Sequence, residues 1–269
     1  MQAEGGGENE VGKDIVGKYV LNGSYMNKSE NVTDHFNRMA PAFTTNYSRS
    51  PAFKERLEVW RRALEHSVAH MPDKSLCLDM GCGDGSISRQ ISARGIRVVG
   101  FDQSETMLAL ANRRAGEEGV GSRSEYVLAS LPLSKELIKT YENSAGLIIC
   151  SSVLEYVDDY ETVLRQFHFL LKPGGILLLS LPNRHSVYRI FERTLRPFIT
   201  SPDSYLHHQR HQFDPGGMKP VLASFGYSVV EEKYFSLPLQ RFSGILFGRY
   251  RGRRVAAMFL ITAQKDRSP

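Results

Sequence analysis

Beyond residue 74 the chain alternates between two textures, short apolar runs and stretches whose apolar residues return every three or four positions. SLCLDM (75–80) is an apolar run. A helical stretch follows from Ser86 to Ala93, with Ile87 and Ile91 on one face. IRVVGFD (96–102) predicts a second strand, and a helix from Ser104 turns Met107, Leu108 and Ala111 inward. YVLAS (126–130) and GLIICS (146–151) are the third and fourth strands. Val163, Leu164, Phe167, Leu170 and Leu171 then form an apolar stripe that Pro173-Gly174-Gly175 is expected to end. ILLLSLP (176–182) is apolar at nearly every position, as a strand covered on both faces must be. A helix bearing Met218, Val221, Leu222 and Phe225 leads through Gly226 to YSVVEEKYF (227–235), with Pro220 a local misfit, and VAAMFLITAQ (255–264) is the seventh strand. Strands alternating with helices at this spacing predict a doubly wound α/β domain on a parallel sheet joined by right-handed crossovers.

Upstream, Phe36, Met39 and Ala40, then Leu57, Trp60, Leu64 and Val68, recur at helical spacing. Pro41 and Pro51 interrupt them, which predicts two or three short helices over 31–71. Residues 1–30 are polar and glycine-rich and are expected to be a flexible tail, leaving 31–269 as the domain.

Composition changes this picture little. With 41% hydrophobic residues in 269, the chain can build a sizeable core. No run reaches the roughly 18–20 apolar residues that span a bilayer, and MQAEGGGENEVGKD lacks the basic start and apolar run of a secretory signal. Cys77, Cys82 and Cys150 have no CxxC spacing, and two lie in buried runs, so a reduced cytoplasmic protein without a zinc site is expected. The net charge of +5 is modest. Its placement is more telling: Arg184, Arg189, Arg193 and Arg196 form one basic group, and Arg249, Arg251, Arg253 and Arg254 another.

The chemistry centres on LDMGCGDGS (78–86), a glycine turn between a buried strand and a helix. Gly81, Gly83 and Gly85 open backbone conformations closed to other residues and let a ligand approach. Asp79 ends the first strand, on the side where open α/β sheets bind ligands. Asp102 ends the second strand, 19 positions after Gly83, where a carboxylate can accept hydrogen bonds from both hydroxyls of an adenosine ribose. The dinucleotide fingerprint G-x-G-x-x-G is the competing reading. Here the order is G-x-G-x-G, and Ser86 stands where the last dinucleotide glycine would be. Asp79 and Asp84 would also repel a pyrophosphate but suit a ligand carrying an ammonium and a sulfonium.

Taken with VVGFDQSETML, ASLPL, ICSSVLEYVDD and LLKPGGILLLSLPN in this order, the glycine turn resembles the class I S-adenosylmethionine-dependent methyltransferases, over about 31–265. Nearest is the ubiquinone and menaquinone small-molecule branch, on HFNRMAPAF, VLEYVDD and SLPNR. The resemblance implies a seven-stranded Rossmann-like sheet ordered 3-2-1-4-5-7-6 with strand 7 antiparallel, N-terminal lid helices over 31–71 and an acceptor-side insertion over 183–212. It implies S-adenosyl-L-methionine as cofactor. Asp79, Gly81, Cys82, Gly83 and Gly85 would line the methionine end. Asp102 would hold the ribose, with Gln103 and Met107 beside the adenine. Ser130 and Leu131 would follow the third strand at the adenine amine, and Cys150 and Ser151 would lie near the transferred methyl. Tyr47 is a candidate to close over the cofactor, or an ordinary packing residue. Members of the ubiquinone type carry a Glu-x-x-Glu-His cluster. Here the run is Ser152-Val153-Leu154-Glu155-Tyr156, so one of three ligands remains and no catalytic metal is expected.

The implied activity is methyl transfer to a small molecule, O-methylation of a hydroxyl or phenol first, with C- or N-methylation of a small molecule second. A nucleic-acid substrate ranks lower, because CSSVL lacks the N/D-P-P-Y/F motif that base N-methylating members of the superfamily often carry after strand four. A hydroxyl acceptor must lose its proton near the time of attack. His185, His207, His208 and His211 follow the fifth strand. His211 and His185 are the first base candidates and equally read as surface or capping histidines; Glu155 is the alternative. Residues 184–199 fit an amphipathic helix with Val187, Ile190, Phe191, Leu195 and Phe198 on one face. With 248–254 it reads either as a peripheral contact to an anionic membrane or as a lid over the acceptor.

Overall fold

A computed structural model describes residues 19–21, 24–26, 32–49, 51–71, 76–187, 189–190, 194, 208–236 and 254–267, with the side chains of 19–21, 24–26 and 41–52 outside that description. Contacts divide the chain into a unit of residues 1–31 and a unit of residues 32–269. In the first, β1 (Tyr19–Leu21) pairs antiparallel with β2 (Ser24–Met26), a hairpin that no apolar alternation in the polar sequence signals.

The second unit opens with two helices, α1 (Val32–Arg49) and α2 (Pro51–His70). Both are long, where interruption by proline led us to expect short ones. Pro51 occupies the first turn of α2, where its missing N–H has no ladder partner to lose. Pro41 lies inside α1 and costs it one rung, but α1 packs against α2 and the helix after the second sheet strand, which hold both sides of the proline in place.

The following elements are β3 (Leu76–Met80), α3 (Ser86–Ser92), β4 (Arg97–Asp102), α4 (Glu105–Glu117), β5 (Ser124–Leu128), α5 (Lys135–Tyr141) and β6 (Ala145–Ser151). Then come α6 (Tyr160–Leu170), β7 (Leu171–Pro182), α7 (Pro215–Ser224), β8 (Tyr227–Phe235) and β9 (Met258–Lys265). α6 stops at Leu170, before the Pro-Gly-Gly expected to end it, because the chain turns extended at Leu171 and β7 begins there. α5 was not foreseen; Ser134 starts it by accepting the Leu137 N–H. α7 begins at Pro215, with the Asp214 carboxylate accepting the Gly217 N–H, and continues through Pro220.

The seven strands β3 to β9 lie in the order β5-β4-β3-β6-β7-β9-β8. Numbered within the sheet this is 3-2-1-4-5-7-6, and the seventh strand, β9, runs antiparallel to both its neighbours, as expected. Alternation along the strands sorts side chains to two covered faces. Leu78, Met80, Ile148, Leu177 and Leu179 join the cluster beneath α6 and α7, while Cys77, Leu147, Ile149 and Leu178 join the one beneath α2 and α3. Trp60, Ala63 and Leu64 of α2 are buried in that second cluster, so this part of the expected lid region also builds the core. The carboxyl ends of β3, β4 and β6 meet along one edge, with β3 flanked by the other two.

Candidate functional site

At the end of β3 the chain turns sharply, with Gly81, Gly83 and Gly85 all at positive φ (74°, 53° and 71°). The Phe101 carbonyl on β4 accepts the N–H groups of Gly81 (2.8 Å) and Cys82 (3.0 Å), fastening the turn to the neighbouring strand. The three glycines have different reasons to be glycine. A Cβ at Gly81 would collide with the Val153 side chain, and one at Gly85 would meet the Tyr126 hydroxyl at 2.5 Å. A Cβ at Gly83 would meet nothing within 4 Å. Packing demands the first and third, whereas the second faces open space.

Asp102, at the end of β4, binds this turn from the other side. One carboxylate oxygen accepts the Gly83 N–H at 2.8 Å and the other the Ser104 N–H at 2.9 Å. Burial raises the Asp102 pKa, and backbone hydrogen bonds from Ser104, Gly83 and Gln103 oppose the rise. Each carboxylate oxygen has lone pairs beyond these amide bonds, and Gln103 beside it is exposed. Ser104 donates its hydroxyl to the Asn37 side chain, tying α1 to the start of α4, and its Oγ accepts the Met107 N–H. Met107 is buried. The Ala129 N–H donates to the Asp102 carbonyl at 2.9 Å, bringing exposed Ser130 and half-buried Leu131 to the same strand end.

The acidic residues of the turn have separate fates. Asp79 is buried and accepts the Ser88 hydroxyl. Burial pushes its pKa up to about 7; the Ser88 hydrogen bond opposes this, and the charges of Asp102 and Asp84 add to it. Asp84, expected to contribute charge to the ligand, instead forms a buried ion pair with Arg114 and accepts the Ser86 hydroxyl at 2.7 Å. This pairing has no local signal, because Arg114 lies 30 residues away on α4. Cys82 sits against Gly100, whose added Cβ would meet the sulfur at 2.9 Å, and Cys150 is fully buried in the core. Their thiols pack; only their backbone faces the strand ends.

At the end of β6 a second polar group gathers. Arg56 of α2 donates from Nη2 to the Ser151 hydroxyl at 2.6 Å and the Ser151 carbonyl at 3.3 Å, across 95 residues of sequence. The Ser151 hydroxyl also meets that of Ser180 on β7 at 3.2 Å. Ser152 adopts φ 58°, a left-handed conformation uncommon for a residue with a side chain, and its hydroxyl is buried without a hydrogen bond. Glu155 is 1% exposed, and its Oε2 likewise has no partner. Burial raises its pKa to about 7, opposed by its own backbone N–H and by the charges of Arg56 and Arg189. Sequence reasoning passed over Arg56, Ser152 and Ser180. Arg56 lies in a charged helix, and only the fold brings it to β6.

Of the histidine candidates, His211 is tied to this group through its backbone, its N–H donating to the Glu155 carbonyl at 3.2 Å. The His211 ring contacts the Asp158 carbonyl at 3.0 Å and packs edge-on to Tyr160. His185 is exposed and lies 3.5 Å from Asp214, the carboxylate that caps α7. Of the three base candidates, Glu155 is the one beside the end of β6. The His208 ring lies tilted against that of His35 on α1, their centroids 5.0 Å apart. His207, Arg193, Arg196 and 248–253 lie outside the described residues, as do most of 191–207 and the side chain of Tyr47. Among the described residues no group of three or more His, Cys, Asp or Glu is arranged to hold a metal, and no helix is long and apolar enough to cross a membrane.

Residues 78–179 match the family model described as a methyltransferase domain. The ubiquinone biosynthesis O-methyltransferase of Pseudomonas aeruginosa (strain UCBPP-PA14) is 33% identical over 114 residues, covering 42% of this chain and 47% of that protein. The tRNA 5-carboxymethoxyuridine methyltransferase of Escherichia coli (strain K12) is 28% identical over 154 residues, covering 57% and 58%. The chain thus spans about half the length of these curated relatives. Among solved structures, the magnesium protoporphyrin IX methyltransferase of Synechocystis PCC 6803 with bound SAH superposes with a TM-score of 0.63, with 17% identity over 87% of this chain and 98% of that one. At that identity the likeness is one of fold.

Proposed function

With a methyltransferase domain matched over 78–179 and the sheet order of the class I methyltransferases around it, we propose that the chain is an S-adenosylmethionine-dependent methyltransferase of a small molecule, and that it methylates a hydroxyl or phenol oxygen. The observation that carries this reading is Asp102. Its carboxylate stands at the strand end beside a glycine turn, and Gly83 opens onto space rather than onto packing. A nucleoside ribose placed there would donate its hydroxyls to a carboxylate already oriented by two backbone amides. At the other end, Asp79 is a buried acid raised by burial and by its acidic neighbours. A cationic ligand would relieve that repulsion, whereas a pyrophosphate would add to it. The residues therefore fit S-adenosylmethionine better than a dinucleotide.

S-adenosylmethionine supplies a methyl group activated by its sulfonium. The chain has to hold the acceptor oxygen in line with that methyl, exclude water and take the acceptor's proton. Glu155, buried beside the end of β6 with an unpartnered oxygen and a pKa near 7, is the base we favour over His211 and His185. With S-adenosylmethionine bound, the acceptor oxygen would take the methyl as the sulfur leaves, and the Glu155 carboxylate would receive the hydroxyl proton.

The tRNA methyltransferase, whose match covers more of this chain than the ubiquinone enzyme's, favours nucleic acid as a second reading. Incubation with tritiated S-adenosylmethionine and either the small-molecule fraction or the tRNA of the source cells separates the two. Label in the small-molecule fraction is expected. Label in tRNA alone would select the second reading, and label in neither would overturn both. We also propose that 184–199 and 248–254 contact an anionic membrane. Flotation with anionic liposomes tests it, and it should weaken when Arg193 and Arg196 are neutralised.

A further inference from the structure

The polar group at the end of β6 is incomplete in one consistent way. Arg56 commits Nη2 to Ser151, while its Nε is buried with no hydrogen-bond partner. Glu155 Oε2 and Ser152 Oγ, from the turn that follows Ser151, are buried and unpartnered as well. Buried polar atoms almost always find partners, so a concentration of orphans at one place marks where a ligand supplies them. Glu155 and Arg56 are close enough for the guanidinium to lower the carboxyl's pKa, but no hydrogen bond joins them. Unpartnered donors, the Arg56 Nε–H and the Ser152 hydroxyl, and an unpartnered acceptor, Glu155 Oε2, thus belong to residues gathered at the end of β6.

The charge around this group indicates the ligand it suits. Arg56 and Arg189 both act on Glu155, two guanidinium groups around one buried carboxyl. The turn at the ends of β3 and β4 is acidic by contrast, with Asp79 and Asp102. A planar guanidinium with an uncommitted Nε–H suits a carboxylate, which can accept two parallel N–H donors. We propose that Arg56 recognises a carboxylate on the acceptor, adjacent to the hydroxyl that is methylated, with that hydroxyl donating to Glu155 Oε2. This rests on the methyltransferase reading above and narrows its acceptor to hydroxy acids. Arg56 holds the acceptor in register and takes no proton.

A simple aromatic probe carrying both groups is 2-hydroxybenzoate, and phenol lacks the carboxylate. Calorimetry on the full chain saturated with S-adenosylhomocysteine would compare the two. Wild type is expected to bind 2-hydroxybenzoate at least about tenfold more tightly than phenol, the range of a hydrogen bond to a charged group. Arg56→Gln should abolish that preference and Arg56→Lys restore part of it, both with S-adenosylhomocysteine affinity within about twofold of wild type. Equal affinity for the probes, binding of neither, or an unchanged preference in Arg56→Gln would overturn the assignment. Failure of S-adenosylhomocysteine itself to bind is a different result, and would overturn the methyltransferase reading.

Discussion

The Asp102 carboxylate accepts the backbone N–H of Gly83 at 2.8 Å, across 19 residues of chain. With its other oxygen on the Ser104 N–H at 2.9 Å, it fixes the glycine turn and the start of α4 while keeping lone pairs for a ligand. Asp102→Ala removes both the anchor and the ligand acceptor. S-adenosylmethionine affinity should fall about 10- to 100-fold, as expected for losing hydrogen bonds to a charged group. Calorimetry checks this, with circular dichroism to show that the fold persists. Unchanged affinity would remove Asp102 from the ribose role.

The two neighbouring glycines should separate folding from binding. Gly83→Ala incurs only the left-handed backbone penalty, about 1–2 kcal/mol, since its Cβ meets nothing within 4 Å. Gly81→Ala adds a collision with Val153, worth about a further 1–3 kcal/mol. Thermal unfolding should therefore drop further for Gly81→Ala, while Gly83→Ala should lose more cofactor affinity than its modest instability explains.

Asp79 gives a pH dependence with a definite sign. Its pKa is raised from 3.8 to about 7 in the folded chain, and that of Glu155 from 4.5 to about 7. A raised folded pKa contributes stability below the unfolded value that is lost as pH rises through the folded one. The unliganded chain should thus lose stability between about pH 4 and pH 7 from these two groups. A cationic ligand favours ionised Asp79, so affinity for S-adenosylmethionine should strengthen from pH 6 to pH 8. Calorimetry at both values tests this, and Asp79→Asn should flatten the dependence.

Glu155→Gln should lower kcat about 10²–10⁴-fold, the usual contribution of a positioned base, and leave cofactor affinity intact. Wild-type kcat should rise with pH through about 7 as Glu155 ionises. His211→Ala and His185→Ala should stay within a few-fold of wild type, since their rings engage Asp158 and Asp214. A larger loss in either histidine variant than in Glu155→Gln would reassign the base. These rates require the acceptor found by the labelling experiment.

The sheet was legible because its strands are written in runs such as IRVVGFD and ILLLSLP, bounded by glycine, serine and proline. The glycine turn and Asp102 were legible because they lie within one local strand–turn–helix–strand unit. Contacts between distant segments carry no such pattern. Arg56 on Ser151, Asn37 on Ser104 and Arg114 on Asp84 join residues 95, 67 and 30 positions apart. Nothing at either end of these pairs distinguishes a partnered polar residue from a solvated one. Pro41 shows the converse limit, a local breaking signal overridden by the packing of α1.

Calorimetric titration of the wild-type chain with S-adenosylmethionine, and separately with NAD, tests the assignment most directly. Saturable one-to-one binding of S-adenosylmethionine with no measurable binding of NAD is expected. Binding of NAD, or no binding of S-adenosylmethionine, would contradict it.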